Sequence, residues 1–466
     1  MDQQTTPPAA ARFLAEAREA LGPDIITDAQ DLREAHAEDW SGYGGTVPFA
    51  LARPRTTEEL SALLAFCHAR HQPVAVQGGL TGLCGGASVR PGELALSLER
   101  MSGIDSIDGG AIVCRAGTTV EAVQAAARDA GAELGIDFGA RGSAMIGGAI
   151  STNAGGLHVI ETGMTRAQVL GLEVVLADGR VLSELTAMVK VNAGFDLKHM
   201  FIGSEGALGV VSRACLALRP LRAGLATALL ALTSPEVVRE ALTAARRAFG
   251  PDLSAFEAMW PDYTETMGAR TPFGLPFTAP LTVILECRAA TDEDASAAME
   301  RFLEASAEAG WLTDAVMAQS VSQARSLWAL RDEGPALYNQ VFADKVAFDI
   351  SVPLAKITEA AEAMAEPLHG GDLFPLTYGH IGDQNLHFVV GADRPLGVDE
   401  KHSIEADVYR LVTDLGGSIS AEHGIGIAKK PYLAMSRGPV ALALMRDLKR
   451  TLDPRNILNP GRVFDL

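Results

Sequence analysis

The sequence lacks several features that would exclude an ordinary intracellular enzyme. Its 466 residues include only five cysteines, which lie far apart and form no C-x-x-C pair. A disulfide framework or a cysteine zinc site is therefore not expected, and a reducing cytoplasm fits best. No apolar run reaches about 18 residues, so we expect no membrane span. The first residues also lack the basic region and apolar core of a signal peptide.

Positive charge is scarce as well. The 39 Lys and Arg residues face 58 Asp and Glu residues, which gives a net charge of −19. Nucleic-acid binding needs clustered Lys and Arg, so no nucleic-acid partner is expected. Hydrophobic residues make up 48% and charged residues 21%, a composition typical of a globular enzyme. The length suggests two or three domains.

The order of predicted elements changes near residue 221. Before it, "TTEELSALLAFCHARHQ" predicts a helix opened by Thr57, and "VLGLEVVLADGRVL" predicts a hairpin that turns at Asp178 and Gly179. After it, strands such as "LTVILECRA" alternate with helices such as "DEDASAAMERFLEASAEAG". Strands and helices of this length predict an antiparallel sheet covered by helices on one face.

Glycine is abundant, with 47 residues, and three segments are rich in it. The first, "GGLTGLCGG" at 78–86, lacks the G-x-G-x-x-G and Walker spacings. Its backbone N–H groups could still form an anion nest, the alternative being a flexible turn. The second, 139–156, could wrap an extended ligand or form tight turns, and the third is "FIGSEGALGVVS" at 201–212. Two such loops in one domain favour a large bound cofactor.

Two short motifs in the C-terminal half contain histidines. "GHIGDQNLH" places His380 and His387 seven residues apart, and "SAEHGIG" sets Glu422 beside His423. Two imidazoles and a carboxylate form a common zinc ligand set with an open position. Seven residues is not a helical zinc spacing, so hydrogen-bonded loop histidines remain the alternative on residues alone.

The three glycine segments, in this order and at these separations, resemble the flavin-binding domain of the vanillyl-alcohol oxidase family. "LKRTLDPRNILNPGRV" resembles that family's closing segment. The resemblance implies an α+β fold with a two-subdomain, PCMH-type FAD-binding domain over residues 1–221, including an N-terminal helix. It further implies an antiparallel-sheet substrate or cap domain with helices on one face over 222–415. A C-terminal segment, 416–466, would return to the FAD domain.

In that family the first two glycine segments cradle the pyrophosphate of FAD and the third borders its adenosine. Neither His71 nor His158 matches a known covalent tether, so the resemblance implies noncovalent FAD. The cofactor contacts that it implies are Gln77, Gly78, Gly79, Leu80, Thr81, Gly82, Ser143, Gly147, Gly148, Asn153, Gly156, Glu205, Val210 and Asn459.

The histidine motifs resemble those of the D-2-hydroxyacid dehydrogenases within this family. His380, His387 and Glu422 match the ligands of Zn²⁺ or another divalent metal, and His423 matches the general base. The resemblance implies a metal that holds the substrate's carboxylate and 2-hydroxyl. His423 would take the hydroxyl proton while hydride leaves the α-carbon for flavin N5.

Gln77 and the pattern "DFGARGSAMIGG" resemble the D-2-hydroxyglutarate dehydrogenase group. Arg331 in "LWALRDEG" matches that group's substrate arginine, with a surface ion pair to a neighbouring acid as the alternative. The chain departs from the group at Pro335, Ala347 and Val389. Lys345, two residues before Ala347 and so on the same strand face, is the expected replacement for the group's lysine.

Three alternatives remain open at this point. The substrate could be D-lactate, D-malate or another D-2-hydroxy acid, and the enzyme could be an oxidase that passes electrons to O₂. A noncatalytic flavin-binding subunit is the third alternative, but it would not need the two histidines and the glutamate. For a dehydrogenase, the expected partners are a small D-2-hydroxy acid and an electron acceptor, either electron-transfer flavoprotein, a quinone or a cytochrome. A homodimer is compatible with the sequence.

Overall fold

The computed structural model describes residues 8–271 and 274–466. The chain divides into two compact units. The first unit contains Met1–Gly156, Gly163–Leu221 and Glu422–Leu466, and the second contains Leu157–Thr162 and Arg222–Ala421. The returning segment thus begins at Glu422, six residues after the expected residue 416, and the stretch Leu157–Thr162 belongs with the second unit.

The strands are short in the first unit and longer in the second. In chain order they are β1 Ile26–Thr27, β2 Leu51–Ala52, β3 Val74–Gln77, β4 Leu94–Ser97, β5 Ile104–Asp108, β6 Ala111–Arg115, β7 Ala132–Glu133, β8 Val169–Val175, β9 Val181–Glu184, β10 Val210–Ala217, β11 Arg219–Pro220, β12 Gly224–Leu232, β13 Leu253–Met259, β14 Leu281–Ala289, β15 Leu312–Met317, β16 Asp344–Ser351, β17 Leu373–His380 and β18 Asn385–Ala392.

The helices occur in both units. In chain order they are α1 Pro8–Leu21, α2 Gln30–Ala35, α3 Thr57–Ala69, α4 Val120–Asp129, α5 Ile146–Thr152, α6 Val159–Thr162, α7 Thr165–Gln168, α8 Lys198–Phe201, α9 Val238–Phe249, α10 Pro261–Arg270, α11 Asp292–Glu308, α12 Val321–Asp332, α13 Gly334–Val341, α14 Ile357–Ala365, α15 Val398–Asp414, α16 Leu433–Ser436 and α17 Pro439–Leu452.

The first unit contains two main sheets. A four-stranded sheet has the order β1-β2-β4-β3, in which β4 pairs in parallel with β2 and with β3. A five-stranded antiparallel sheet has the order β5-β6-β10-β8-β9. The predicted hairpin is its β8–β9 pair, with Val175 opposite Val181. Gly179 in the turn has φ +88°, a backbone angle that residues other than glycine rarely adopt.

Helix α3 packs on this unit's core and shows a small error in the sequence prediction. Its residues Leu60, Leu63 and Leu64 are fully buried in the main apolar cluster. The helix is capped by Thr56, whose hydroxyl accepts the N–H of Glu59 at 3.2 Å, and not by Thr57 as expected. An N-cap residue has a non-helical backbone conformation, which Thr56 adopts, whereas Thr57 is already the first helical residue. The prediction therefore placed the cap one position too late.

The second unit is built on one antiparallel sheet of seven strands, in the order β15-β12-β14-β13-β17-β18-β16. The predicted antiparallel sheet with covering helices is therefore confirmed. Every residue of β13 is buried, so both faces of the central strands are covered.

The helices of this unit are distributed over both faces of the sheet. On one face, a buried cluster joins β13 Met259 and β18 Val389 to α10, α12 and α13. On the other face, Phe348 packs edge-on against Tyr409 of α15, with ring centroids 5.3 Å apart. The sequence predicted helices on one face only, whereas α15 covers the other face as well. Within residues 8–271 and 274–466, no helix is both long and apolar enough to cross a membrane.

Candidate active site

The β17–β18 hairpin brings two predicted metal ligands together. His380 is the last residue of β17, a single 3₁₀ turn follows, and Gln384 adopts φ +73° before β18 begins. His387 lies opposite Tyr378 in the register, so it shares a face with His380 two residues further along β17. The two imidazole centroids are 5.2 Å apart at an interplanar angle of 78°.

His380 lies in a buried, hydrogen-bonded triad with Glu257 and Arg331. Glu257 is directly opposite His380 in the β13–β17 register, and its Oε1 is 2.7 Å from His380 Nδ1. Arg331, from α12, donates Nε–H to Glu257 Oε2 at 3.1 Å, and its Nη2 is 3.1 Å from His380 Nε2. All three residues are at most 6% exposed.

The triad sets the tautomer of His380. A guanidinium can only donate, so Nε2 of His380 must be the acceptor of the Arg331 contact. The ring proton is then on Nδ1 and is donated to Glu257. A neutral imidazole with its lone pair on Nε2 is the form that binds a metal through that atom.

The contacts within the triad shift two pKa values. Burial alone would raise the pKa of Glu257, but the charge of Arg331 and the hydrogen bonds from Arg331 and His380 outweigh it and hold this pKa below its ordinary value. Burial would likewise lower the pKa of Arg331, but Glu257 raises it above the ordinary value. Both side chains therefore stay charged at neutral pH.

Arg331 differs from the surface ion pair considered as the alternative. Its side chain is 7% exposed, its main carboxylate partner is Glu257, and Asp332 Oδ1 is 4.0 Å away. The guanidinium carbon also lies 4.8 Å from the centre of the Tyr378 ring. Arg331 is thus part of the buried site beside His380.

Lys345, the other predicted substrate residue, lies on β16. Its Nζ bonds the side-chain oxygen of Asn339 on α13, and burial lowers its pKa. Lys345, Ala347 and Asp349 alternate onto one face of β16, and Asp349 is opposite His387. The expectation that Lys345 and Ala347 share a face is therefore confirmed.

Asp349 connects this sheet to the start of the returning segment. It accepts an N–H from the Asn385 side chain and one from the Ala421 backbone, both at 3.2 Å. Glu422 is the next residue in the chain and begins the part that belongs to the first unit. Within that unit, Glu422 Oε1 lies 3.0 Å from where a Cβ of Gly155 would stand.

In the first unit, several glycines of the first two segments are required by protein contacts. A Cβ on Gly79 would collide with the carbonyl of Ser143, which brings the first segment against the second. A Cβ on Gly147 would be 2.8 Å from Ala116 Cβ, and one on Gly156 would collide with the Asp137 carbonyl. These glycines allow backbone segments to approach one another.

Gly148 differs from these glycines, because no contact with a described residue requires it, and this indicates a bound group. A Cβ on Gly148 would find no protein atom within 4 Å, and its φ is not in the left-handed region. Neither packing nor backbone conformation therefore requires glycine at this position of α5. Gly78 lies beside it, since a Cβ added to Gly78 would be 3.6 Å from Gly148 Cα. An open face at this place fits a cofactor held close to the backbone, and the residues present thus fit FAD.

Other predicted cofactor residues occupy defined backbone positions. Gln77 is fully buried and donates to the carbonyls of His36 and Ala87, both at 2.9 Å. Its Oε1 has no partner among the described residues. Leu80 has φ +57°, and Asn153 ends α5 with φ +53° while accepting the Arg166 N–H at 2.8 Å.

The rest of this predicted set lies on loops and at a strand start. Thr81 is half-buried, Gly82 and Ser143 are exposed, and Val210 begins β10 opposite Val175. No ligand contact is required to explain the position of Val210, since it belongs to a regular ladder.

Glu205 anchors the loop that carries His423. Its carboxylate accepts the backbone N–H groups of Ile425 at 2.7 Å and Gly426 at 2.8 Å. Burial raises the pKa of Glu205 above its ordinary value, although the two N–H groups oppose this. Asn459 binds the carbonyl of Glu205 at 2.7 Å and the N–H of Val76 at 2.8 Å. Both residues thus connect the third glycine segment to neighbouring elements.

Comparison with known proteins shows which family has these features. Residues 48–183 match the family model described as "FAD binding domain", and residues 223–463 match "FAD linked oxidases, C-terminal domain". The chain belongs to the FAD-linked oxidase family. It is therefore an FAD-dependent oxidoreductase, as the glycine segments predicted.

Two relatives that match nearly the whole chain carry the name D-2-hydroxyglutarate dehydrogenase. The chain is 38% identical over 456 residues to the D-2-hydroxyglutarate dehydrogenase of Xanthomonas citri pv. viticola, covering 95% of this chain and 94% of the relative. It is 36% identical over 444 residues to the mitochondrial D-2-hydroxyglutarate dehydrogenase of Bos taurus, covering 94% and 81%. The predicted resemblance to this group is confirmed.

Solved structures confirm the fold of the chain. The 4-ethylphenol oxidase from Gulosibacter chungangensis matches with a TM-score of 0.76 at 17% identity, covering 99% of this chain and 98% of that one. A p-cresol methylhydroxylase matches with a TM-score of 0.75 at 16% identity, with the same coverage. At this identity the likeness concerns the fold alone.

Sequence reasoning missed Glu257. The available signal was a single acid within the apolar run "LSAFEAMW", whose strand residues are all buried. Strand β13 itself was not predicted, so the acid had no face assigned to it. Its partners Arg331 and His380 are 74 and 123 residues away in the chain.

Proposed function

We propose that the protein oxidises D-2-hydroxyglutarate to 2-oxoglutarate, using noncovalent FAD and a divalent metal, with Zn²⁺ the first candidate. The observation that carries the proposal is the convergence of His380 and His387 on one hairpin, in a chain that matches D-2-hydroxyglutarate dehydrogenases over its length. Chemically, the α-carbon loses hydride, the 2-hydroxyl loses a proton, and the substrate loses two electrons.

FAD would be held by the glycine segments of the first unit. The open backbone at Gly148 and the close contact of Gly79 with Ser143 support this assignment. Gln77, Leu80 and Asn153 would border the same cofactor. When bound, FAD supplies the acceptor for the hydride.

The metal would be held by His380, His387 and Glu422. The donor set supports this assignment, since His380 presents the Nε2 lone pair of a neutral imidazole and two imidazoles with a carboxylate suit Zn²⁺. When bound, the metal supplies Lewis acidity that lowers the pKa of the substrate hydroxyl.

His423 would be the general base. An imidazole can accept a proton near neutral pH, as removal of a hydroxyl proton requires. The neighbouring backbone of Ile425 and Gly426 is held by Glu205, which would keep the imidazole in a fixed place during proton transfer.

Arg331 and Lys345 would bind the two carboxylates of the substrate. Arg331 contacts Glu257 through Nε and His380 through Nη2, so it would bind a substrate carboxylate through Nη1, and through both Nη groups once Nη2 leaves His380. Lys345 lies further along the same face of the sheet as His387. Ala347 and Val389 are paired across β16 and β18, between the positions of Lys345 and His387. Their apolar side chains favour a substrate with an apolar side chain as the second candidate, so D-lactate belongs in the test.

The proposal is tested with a substrate panel and an artificial dye acceptor. Purified protein is assayed with D- and L-2-hydroxyglutarate, D-lactate and D-malate, each with and without added Zn²⁺. We expect turnover of D-2-hydroxyglutarate that needs metal. Equal turnover after exhaustive chelation, with metal content measured as nil, would remove the metal from the proposal and leave the flavin reaction.

We also propose a cytoplasmic location and an electron acceptor other than O₂. None of the five cysteines, all of which are described, forms a disulfide, which supports a reducing compartment. Electron-transfer flavoprotein, a quinone and a cytochrome are the acceptor classes to compare. Faster reoxidation of the reduced protein by O₂ than by any of these would favour the oxidase alternative.

A further inference from the structure

We propose that Glu257 is the positioning residue of the metal site, because it fixes His380 in the tautomer that leaves Nε2 available. The inference rests on the proposed metal role of His380 but concerns a different residue. Glu257 touches neither a proposed cofactor nor the substrate in this account, and it acts through His380 and Arg331.

Strand pairing within the sheet places the Glu257 carboxylate beside His380. Glu257 and His380 are directly paired across β13 and β17, so the 2.7 Å contact between Oε1 and Nδ1 follows from strand register. Strand register in a buried antiparallel sheet is strongly specified, because a one-residue slip would turn each side chain to the opposite face. With 1% of its surface exposed, Glu257 cannot exchange this contact for water.

The two oxygens of Glu257 serve different donors. Oε1 accepts from His380 Nδ1 and Oε2 accepts from Arg331 Nε. The opposite tautomer of His380 would direct an Nε2–H at the Nη2 donor of Arg331 and leave Nδ1 without a proton for Oε1. Both groups would then be unsatisfied in a buried site, which disfavours that tautomer.

Arg331 and a metal need the same lone pair. Nε2 of His380 has a single lone pair, and Arg331 Nη2 occupies it at 3.1 Å. The Nε bond of Arg331 to Glu257 does not involve that lone pair. Glu257 can therefore keep its bonds to His380 Nδ1 and Arg331 Nε when Arg331 Nη2 moves away from His380 Nε2. These bonds keep Arg331 beside the site.

The decisive substitution is Glu257→Gln. Glutamine offers one acceptor and one donor where glutamate offers two acceptors, so it cannot satisfy both His380 Nδ1–H and Arg331 Nε–H. Glu286→Gln is the matched control. Glu286 is a buried acid on the adjacent strand β14 that accepts from Ser254 at 3.0 Å and Trp328 at 3.1 Å, and its described bonds do not include His380.

The first readout is Zn²⁺ affinity of the metal-free flavoprotein, measured by competition with a chelating dye. We expect Glu257→Gln to weaken Zn²⁺ binding by about 10- to 100-fold, the usual effect of losing a group that orients a ligand histidine. Glu286→Gln should bind Zn²⁺ like the wild type. Flavin content and the thermal unfolding midpoint are recorded for each variant.

The second readout is the tautomer of His380 in metal-free protein labelled with ¹⁵N-histidine, its signal identified by loss in His380→Ala. We expect the Nδ1–H form in the wild type and a mixture in Glu257→Gln. If Glu257→Gln does not fold, Glu257→Asp replaces it, since aspartate keeps the charge but is one methylene too short to reach both partners.

The outcomes separate the inference from the proposed function. Wild-type Zn²⁺ affinity together with an unchanged tautomer in Glu257→Gln would overturn the positioning role. A wild-type protein that binds no divalent metal would instead refute the proposed metal site. In that case the tautomer measurement still decides whether Glu257 fixes His380.

Discussion

Arg331 Nη2 lies 3.1 Å from Nε2 of His380. The contact joins the residue predicted to bind substrate to a residue predicted to bind metal, across 49 positions of sequence. Since Arg331 also donates a hydrogen bond to Glu257, its guanidinium charge is held next to His380.

This relationship predicts the behaviour of Arg331→Lys. Lysine keeps the charge but loses the planar fork, so it cannot bind Glu257 and a substrate carboxylate with the same geometry. We expect kcat/KM for D-2-hydroxyglutarate to fall by about 10- to 100-fold, corresponding to loss of one charge-assisted hydrogen bond. Steady-state kinetics with a dye acceptor provide the measurement.

Arg394→Lys is the matched control for that prediction. Arg394 is a more exposed arginine that pairs with Asp372 and Glu400, and its substitution should leave kcat/KM unchanged. An Arg331→Lys variant with the kinetics of the control would remove Arg331 from the substrate site.

His423→Ala should slow flavin reduction by about 10²- to 10⁴-fold, the usual span for loss of a general base. Stopped-flow bleaching at saturating D-2-hydroxyglutarate measures the rate, and metal content is determined in parallel. We expect metal and flavin to be retained. A slow rate that accompanies metal loss would reassign His423 to the metal ligands, and a near-normal rate would exclude the base role.

The sequence predicted those elements whose pattern is local. The hairpin at Asp178 and Gly179 needs only a turn pair between two strands, and β14 was recognised from the largely apolar segment "LTVILECRA". Each of these signals lies within about 15 residues, so no knowledge of distant contacts was required.

Long-range partners could not be predicted. Glu257 became a site residue only because β13 pairs with β17, and no local pattern specifies that pairing. The glycine at 79 illustrates the same limit. The density of glycine around it suggested a ligand, whereas the neighbour that excludes a side chain there is the carbonyl of Ser143, from the second segment.

Two glycine substitutions separate cofactor binding from protein packing. Gly148→Ala meets no protein atom within 4 Å and replaces a helical glycine, so the apoprotein should be equally stable or gain up to about 1 kcal/mol. We expect its FAD affinity to fall, because the new methyl group occupies the open face. Fluorescence titration with FAD and thermal unfolding of the apoprotein measure both effects.

Gly79→Ala provides the contrast. Its methyl group would collide with Ser143, so the apoprotein should lose about 1–3 kcal/mol of stability through overpacking. If Gly148→Ala bound FAD like the wild type, that glycine would not border the cofactor.

The flavin should be released by acid. His158 is held within the second unit, with Nε2 3.6 Å from Glu286 Oε1, and His71 is an exposed residue just after α3. Neither matches a covalent tether, so acid precipitation should leave FAD in the supernatant. Yellow colour that remains with the washed precipitate would establish a covalent bond.

The most direct test of the account is anaerobic flavin bleaching by single substrates. Protein purified with FAD and supplied with Zn²⁺ is mixed with D-2-hydroxyglutarate, its L enantiomer or D-lactate, and the flavin absorbance near 450 nm is followed. We expect rapid bleaching by D-2-hydroxyglutarate, with 2-oxoglutarate formed in equal amount to the reduced flavin, and no bleaching by the L enantiomer. An oxidised flavin spectrum that persists with D-2-hydroxyglutarate would contradict the account.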